Sequence, residues 1–322
     1  MVLYGVGMFK GRKISGKGLI IGLGAVLVVV FLGFFIFSVV FVKSAFEHRV
    51  EKFSYTPEAL GLTAETVELT SSDGIDLKGW WIPKEKSRGI VVLLHGMDGL
   101  DASTLLPQAV FLQEAGYAVF VLDMRAHGRS GGNRIGLAFE EPRDVEAVLD
   151  WIINQPTLAE KPVVLLGLSM GGATAIRTAA FRTEVDAVIS VSAFASIDKM
   201  ISGGMRMMDF PEAGIKIFEP FSKLGMLTVY GALPAKASPL RDIPRISPRP
   251  VLILHGTADS QIPVENGYWL KEAGGENVIL SIIEGADHLI FSEDGLSDTP
   301  EDVLYRQHIL SFLDTVMNPI DH

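Results

Sequence analysis

The run Gly89-Ile-Val-Val-Leu-Leu94 limits what this chain can fold into more than any other feature. A short, continuous apolar run bounded by turn residues suits a strand buried on both faces of a parallel sheet. Such a strand needs helices on either side, and the sequence supplies an alternation of that kind. Strands are predicted at Thr66–Thr70, Ile75–Ile82, Tyr117–Leu122, Pro162–Leu168, Val185–Val191, Arg249–His255 and Asn277–Ile283. The first two are joined by Ser-Ser-Asp-Gly, a turn signal. Helices are predicted at Ala102–Ala115, Phe139–Asn154, Gly171–Arg182, Val264–Ala273 and Pro300–Val316. Strands alternating with helices of this length specify an α/β fold with a mostly parallel sheet covered on both faces.

The chain has 322 residues, 48% of them apolar. One α/β domain of roughly 200–300 residues accounts for nearly all of it. Residues 1–42 carry Lys10, Arg12, Lys13 and Lys17 and no acid, and the remaining 24 basic and 38 acidic side chains leave the rest at −14. An acidic main domain repels phosphate backbones, which argues against a nucleic-acid partner. The absence of cysteine excludes disulfides, thiolate metal sites and a cysteine nucleophile.

Leu19–Val42 contains no charged side chain. Its length exceeds the ~20 apolar residues that cross a bilayer's hydrocarbon. A signal-peptide core runs to about 7–15 residues before a small-x-small cleavage site, whereas Lys43-Ser44-Ala45 places lysine where a small residue belongs. A core helix would show a polar stripe, and none is present. The expectation is a basic flank (1–18), a retained transmembrane anchor (19–42) and a stalk (43–64). Lys43, Arg49 and Lys52 follow the span, so the positive-inside rule favours a cytoplasmic N-terminus and an external main domain by a thin margin.

Gly167-Leu168-Ser169-Met170-Gly171 matches G-x-S-x-G. The pattern is common by chance, and its meaning depends on lying between a strand and a helix, as it does here. Flanking glycines permit a sharp turn that side chains would obstruct, and the turn puts Ser169 at a helix N-terminus. A serine hydroxyl needs a base, itself oriented by an acid. Asp259 follows the strand ending at His255, and His288 follows the strand ending at Ile283. Both therefore fall at C-terminal strand ends, the edge where α/β sheets place their sites. A lone aspartate in a turn is commonly a cap and a lone histidine commonly structural. The three residue types in this order on three strand ends specify a catalytic triad. Asp287 is a rival carboxylate, but as His288's chain neighbour it is poorly placed to orient that ring. Two backbone amides, of Met97 and Met170, are the expected oxyanion donors, and His95 is read as positioning the first of these loops.

His95-Gly96, Asp123-Met-Arg-Ala-His127-Gly128-Arg-Ser130, the serine turn, Asp259 and His288 together resemble the α/β-hydrolase superfamily. Within it the chain resembles membrane-anchored serine hydrolases described as lysophospholipase-like or peptidase S9-like. The resemblance covers residues 65–318. It implies an eight-stranded sheet, no cofactor, and a site-shaping rather than catalytic role for Asp123, Arg125 and His127. No metal-ligand cluster or glycine-rich nucleotide loop opposes this.

Phe194–Arg245 interrupts the alternation with about 50 residues, rich in Met and Phe, where a short connection would do. It reads as a lid, or as additional core. The expected chemistry is hydrolysis of a carboxylic ester, with a small-molecule or lipid substrate, through an acyl-enzyme. A serine peptidase and an acyltransferase use the same triad. A non-catalytic receptor or scaffold would be marked by a lost triad member, and none is lost. Oligomeric state is not specified.

Overall fold

A computed structural model describes residues 16–97, 99–292 and 299–317. Lys10, Arg12 and Lys13 of the basic flank lie outside them, as does residue 318. Among the described residues one sheet forms from β1 (Glu65–Thr70), β2 (Asp76–Ile82), β3 (Ile90–Leu94), β4 (Ala118–Asp123), β5 (Val163–Leu168), β6 (Val185–Val191), β7 (Val251–Gly256) and β8 (Val278–Ile283). The strand order is β1-β2-β4-β3-β5-β6-β7-β8. β1 and β2 pair antiparallel, as β2 does with β4, and the other pairings are parallel.

The helices are α1 (Gly16–Phe46), α2 (Leu106–Glu114), α3 (Pro142–Ile153), α4 (Met170–Ala179), α5 (Ile197–Met207), α6 (Glu212–Tyr230), the single turn α7 (Pro239–Asp242), α8 (Glu265–Gly274) and α9 (Pro300–Met317). Period-two alternation divides the core into two layers. Ile90, Val92 and Leu94 join Val145, Val148 and Leu149 of α3 on one face. Val91 and Leu93 meet Leu112 of α2 and Ile309 and Leu313 of α9 on the other.

Two predicted helices start late. Residues Ala102–Leu105 form a 3-10 turn capped by Asp101, and α2 proper begins at Leu106 with Pro107 in its first turn. The helix read from Phe139 begins at Pro142, because Leu137 and Ala138 sit at φ 54° and 59°, outside helical geometry. Proline suits that first turn, where its missing N–H has no helical partner to lose.

Segment 43–64, read as a stalk, is stitched along the domain. Val50 N–H donates to the Ala126 carbonyl at 2.8 Å, Gly128 N–H to the Val50 carbonyl at 2.9 Å, and Ile135 N–H to the Phe46 carbonyl at 2.9 Å. Leu62 is buried. The edge of this layer holds a buried ionic group. Arg125 donates to Asp144 at 2.6 Å and to Asp73 at 2.8 Å, tying the loop after β4 to α3 and to the β1–β2 turn. Nearby Glu141 accepts from Gly136 N–H. Burial, with the Asp144 charge added, pushes its pKa from 4.5 up to about 7 despite Arg125. A carboxyl raised in this way stabilises the fold fully below its unfolded value, and the contribution is lost as pH rises through the folded value. Glu141→Gln should therefore abolish a loss of roughly 3 kcal/mol between those two pH values. Thermal denaturation of wild type and variant at pH 4.5 and pH 7 checks this, and identical pH slopes would contradict it.

Candidate active site

β5 passes into α4 through a single residue. Ser169 sits there at φ 53° and ψ −114°, an uncommon conformation for a residue with a side chain. Its N–H donates to the Val191 carbonyl at 2.7 Å, which fixes the turn against β6. A methyl group on Gly167 would run into the Gly171 carbonyl, and one on Gly171 into the Leu94 carbonyl. The turn is this tight only because both positions are glycine. Backbone strain of order 1–3 kcal/mol at such a site persists because surrounding contacts over-determine it. The result is a half-buried Ser169 at the N-terminus of α4.

Asp259 and His288 stand on the loops after β7 and β8, at the same edge of the sheet. His288 Nδ1 lies 2.9 Å from Asp259 Oδ2 and 3.0 Å from Oδ1. Asp259 Oδ1 also accepts the N–H groups of Gln261 (2.9 Å) and Ile262 (2.7 Å). Burial alone would raise the Asp259 pKa, but hydrogen bonds from His255 and His288, the His288 charge and the Ile262 N–H together hold it well below the usual carboxylate range. The acid is thus an anion whose geometry fixes Nδ1 as the protonated nitrogen of His288, leaving Nε2 as the basic one. Among the described residues Ser169 makes no hydrogen bond to His288. Such contacts are commonly loose without substrate and tighten in its complex.

Two features around this pair were read differently or missed in the sequence. Asp287, the rival carboxylate, accepts from Ser260 N–H at 2.8 Å, Ser260 Oγ at 2.7 Å and His288 N–H at 2.7 Å. It braces the acid loop against the histidine loop. His255, seen only as the end of a strand, is fully buried. Its Nε2 donates to the Ile262 carbonyl at 2.9 Å and lies 3.2 Å from Asp259 Oδ2, the oxygen that His288 also approaches. The signal available in the sequence was its spacing of four from Asp259.

The loop after β3 lies over the serine: a Cβ on Gly96 would sit 3.3 Å from Ser169 Cβ. His95 anchors that loop. Its Nδ1 donates to the Gly96 carbonyl at 2.7 Å and its Nε2 accepts Met124 N–H at 3.0 Å. Burial lowers its pKa to about 4, so it is neutral and serves as a brace rather than a base. Met97 is half-buried in the same loop, and Met170 opens α4 beside Ser169. Asp123 accepts Ala102 N–H at 2.9 Å and Arg129 Nε–H at 2.8 Å, and the His127 ring packs on that of His95, centroids 4.6 Å apart and tilted by 53°. These contacts shape the loops behind the site.

A cavity of about 600 Å³ reaches the chain neighbours of Ser169 and His288, though neither residue lines it. Its lining mixes apolar Tyr55, Leu100, Leu105, Leu168, Leu289 and Phe291 with polar Lys52, Ser54, Thr104 and Ser292, and Leu168 and Leu289 are the chain neighbours of Ser169 and His288.

A family model described as serine aminopeptidase, S33, matches residues 85–224. The solved structure of the Pyrococcus furiosus esterase Pf2001 superposes with a TM-score of 0.65 at 27% identity, covering 84% of this chain and 99% of that one. The chain has the α/β-hydrolase fold. This α/β hydrolase is also 28% identical over 270 residues to the Escherichia coli (strain K12) protein YfhR, covering 80% of this chain and 83% of that protein. It is 28% identical over 263 residues to a monoacylglycerol lipase of Mycolicibacterium smegmatis, with 72% and 90% covered. Its place is thus among esterase-like hydrolases.

Proposed function

We propose that this α/β hydrolase is a membrane-anchored serine hydrolase that cleaves a carboxylic ester with an apolar acyl group. The observation that carries the reading is the buried Asp259–His288 hydrogen bond on the sheet edge that also presents Ser169 at a strained turn. His288 Nε2 takes the Ser169 proton as Oγ attacks the carbonyl carbon. Asp259 stabilises the imidazolium, and the amides of Met97 and Met170 receive the oxyanion. Collapse expels the alcohol, protonated by His288, and water then releases the acid from Ser169 by the same route. The cavity of about 600 Å³ is of the size that holds a small organic group, and the leucine and phenylalanine part of its mixed lining offers an acyl chain an apolar wall.

The anchor reading rests on α1. Within Leu19–Phe46 an 18-residue window has a mean hydropathy of 3.1, with only 11% of that window buried. The same composition serves a signal sequence, and N-terminal sequencing of the mature protein separates the two. A cytoplasmic N-terminus and an external catalytic domain follow from the lysine distribution.

The test is labelling of membranes by a fluorophosphonate probe. Wild type should be labelled and Ser169→Ala should not. A folded wild type that takes up no probe would remove the hydrolase reading and favour the receptor or scaffold. A second measurement addresses the substrate. Leu100→Trp, which takes up part of the acyl cavity, should move the optimum of a p-nitrophenyl ester series towards shorter chains. An unchanged chain-length profile would place the acyl group elsewhere. Peptide anilides run beside the esters distinguish a peptidase, and added alcohol acceptors an acyltransferase.

A further inference from the structure

Two aromatic residues of the insertion read as a lid, Phe218 and Phe221, pack on α1. The ring of Phe221 on α6 lies 5.3 Å from Phe31 and 5.2 Å from Phe34, and Phe218 lies 5.9 Å from Phe37. Ser38 Oγ donates to the Phe221 carbonyl at 2.6 Å. Gly225 faces Ser38 so closely that a methyl there would collide with its hydroxyl. A small residue at a helix crossing and a hydroxyl bonded across it are the means by which helices associate in lipid.

The level of this contact along α1 matters. Phe34 lies nine positions before Lys43, roughly 14 Å along a helix axis. If α1 spans the hydrocarbon up to Lys43, a helix packed on Phe34 shares that layer with it. The surface of α6 and of the turn before it fits such a place. Met208, Phe210 and Ile217 are 75%, 50% and 56% exposed, as large apolar side chains rarely are together in water. Of the charges nearby, Asp209 and Lys216 are exposed to solvent and others are paired. Lys223 meets Glu219 at 2.6 Å and Asp198 of α5 at 3.9 Å, and Arg206 meets Glu212 at 2.6 Å. Long side chains of this kind reach the headgroup layer from a helix seated just beneath it. α1 has 31 residues, more than a perpendicular crossing needs, so it can cross at a tilt.

We propose that α6 is immersed in the bilayer leaflet beside α1, with Met208, Phe210 and Ile217 among the acyl chains, so that lipid ester enters the site from the leaflet. This rests on the reading of α1 as a membrane anchor. The helix before it, α5, reaches towards the site: a Cβ on Gly203 of α5 would lie 3.3 Å from Pro263, which follows the Ile262 whose N–H holds Asp259.

The native chain has no cysteine, so single cysteines report without background. Val28→Cys, Ile217→Cys and Glu160→Cys are made in the full chain and reconstituted in phosphatidylcholine vesicles, each checked for fluorophosphonate labelling. An environment-sensitive fluorophore on residues 28 and 217 should be quenched by doxyl-labelled lipid, and one on residue 160 should not. The unlabelled thiol at 217 should react with a water-soluble maleimide at least about tenfold more slowly than that at 160, because a thiol in hydrocarbon keeps its proton. Quenching at 28 with free, unquenched reaction at 217 leaves the anchor standing and overturns the immersion of α6. No quenching at either position removes the anchor and the inference together. Protection at 217 that disappears on dilution into excess lipid makes this face a contact between two copies of the chain and also overturns the inference.

Discussion

Replacing Asp259 with Asn should lower kcat by about 10⁴-fold while leaving the fold in place. The amide keeps the size of the carboxyl group, so the loop from Ala258 to Ile262 retains its packing. It loses the charge and one acceptor. Asp259 now accepts from His288, His255, Gln261 and Ile262 at once. An amide nitrogen turned towards His288 faces Nδ1 with a donor, which drives the imidazole to the tautomer whose Nε2 is protonated and unable to take the Ser169 proton. Steady-state hydrolysis of a p-nitrophenyl ester, with thermal denaturation of the same preparations, measures both halves of the expectation. A loss of only about tenfold would mean that His288 is oriented by something other than Asp259. Stability carries a second sign. The Asp259 pKa is depressed in the folded state, so its contribution is present above the ordinary value of 3.8 and is lost as pH falls through the folded one. Wild type should therefore lose more stability on acidification than the Asn variant.

Gly171→Ala should remove activity and stability together. The added methyl meets the carbonyls of Leu94 and His95, both backbone atoms of a fully buried strand end that cannot swing aside as a side chain can. Relief requires α4 to move away from β3. That displaces Ser169 from His288 and opens the loop that holds Met97. Overpacking of this kind costs about 3 kcal/mol or more. For a domain of this size that is a fall in Tm of roughly 6–12 °C. Differential scanning calorimetry in detergent and fluorophosphonate labelling read the two effects. A variant with wild-type Tm and labelling would show that the turn has room the geometry denies it.

The sheet and the positions of Ser169, Asp259 and His288 along one edge of it were legible because each is written locally. Ile90–Leu94 is buried on both faces, and only a strand between helices satisfies that pattern. Gly167 and Gly171 surround Ser169 because the turn geometry admits no side chain at either place. The ends of β7 and β8 are marked by loop residues, and Asp259 and His288 stand immediately after them. His255 escaped notice because a buried histidine at a strand end looks like any other in sequence. Its bond to Asp259 depends on the loop folding back over it.

Tertiary structure alone decided where the aromatic side chains of the insertion go. Phe218 and Phe221 have the composition of a lid over an apolar substrate, but their contacts are with Phe31, Phe34 and Phe37, nearly two hundred positions earlier in the chain. The residues after α1 likewise look like a free tether until Val50 pairs with the loop at His127. Apolar composition states that a surface must be covered and the periodicity states which face. Neither states by what, because hydrophobic association has no direction and its partners are set by how the whole chain packs.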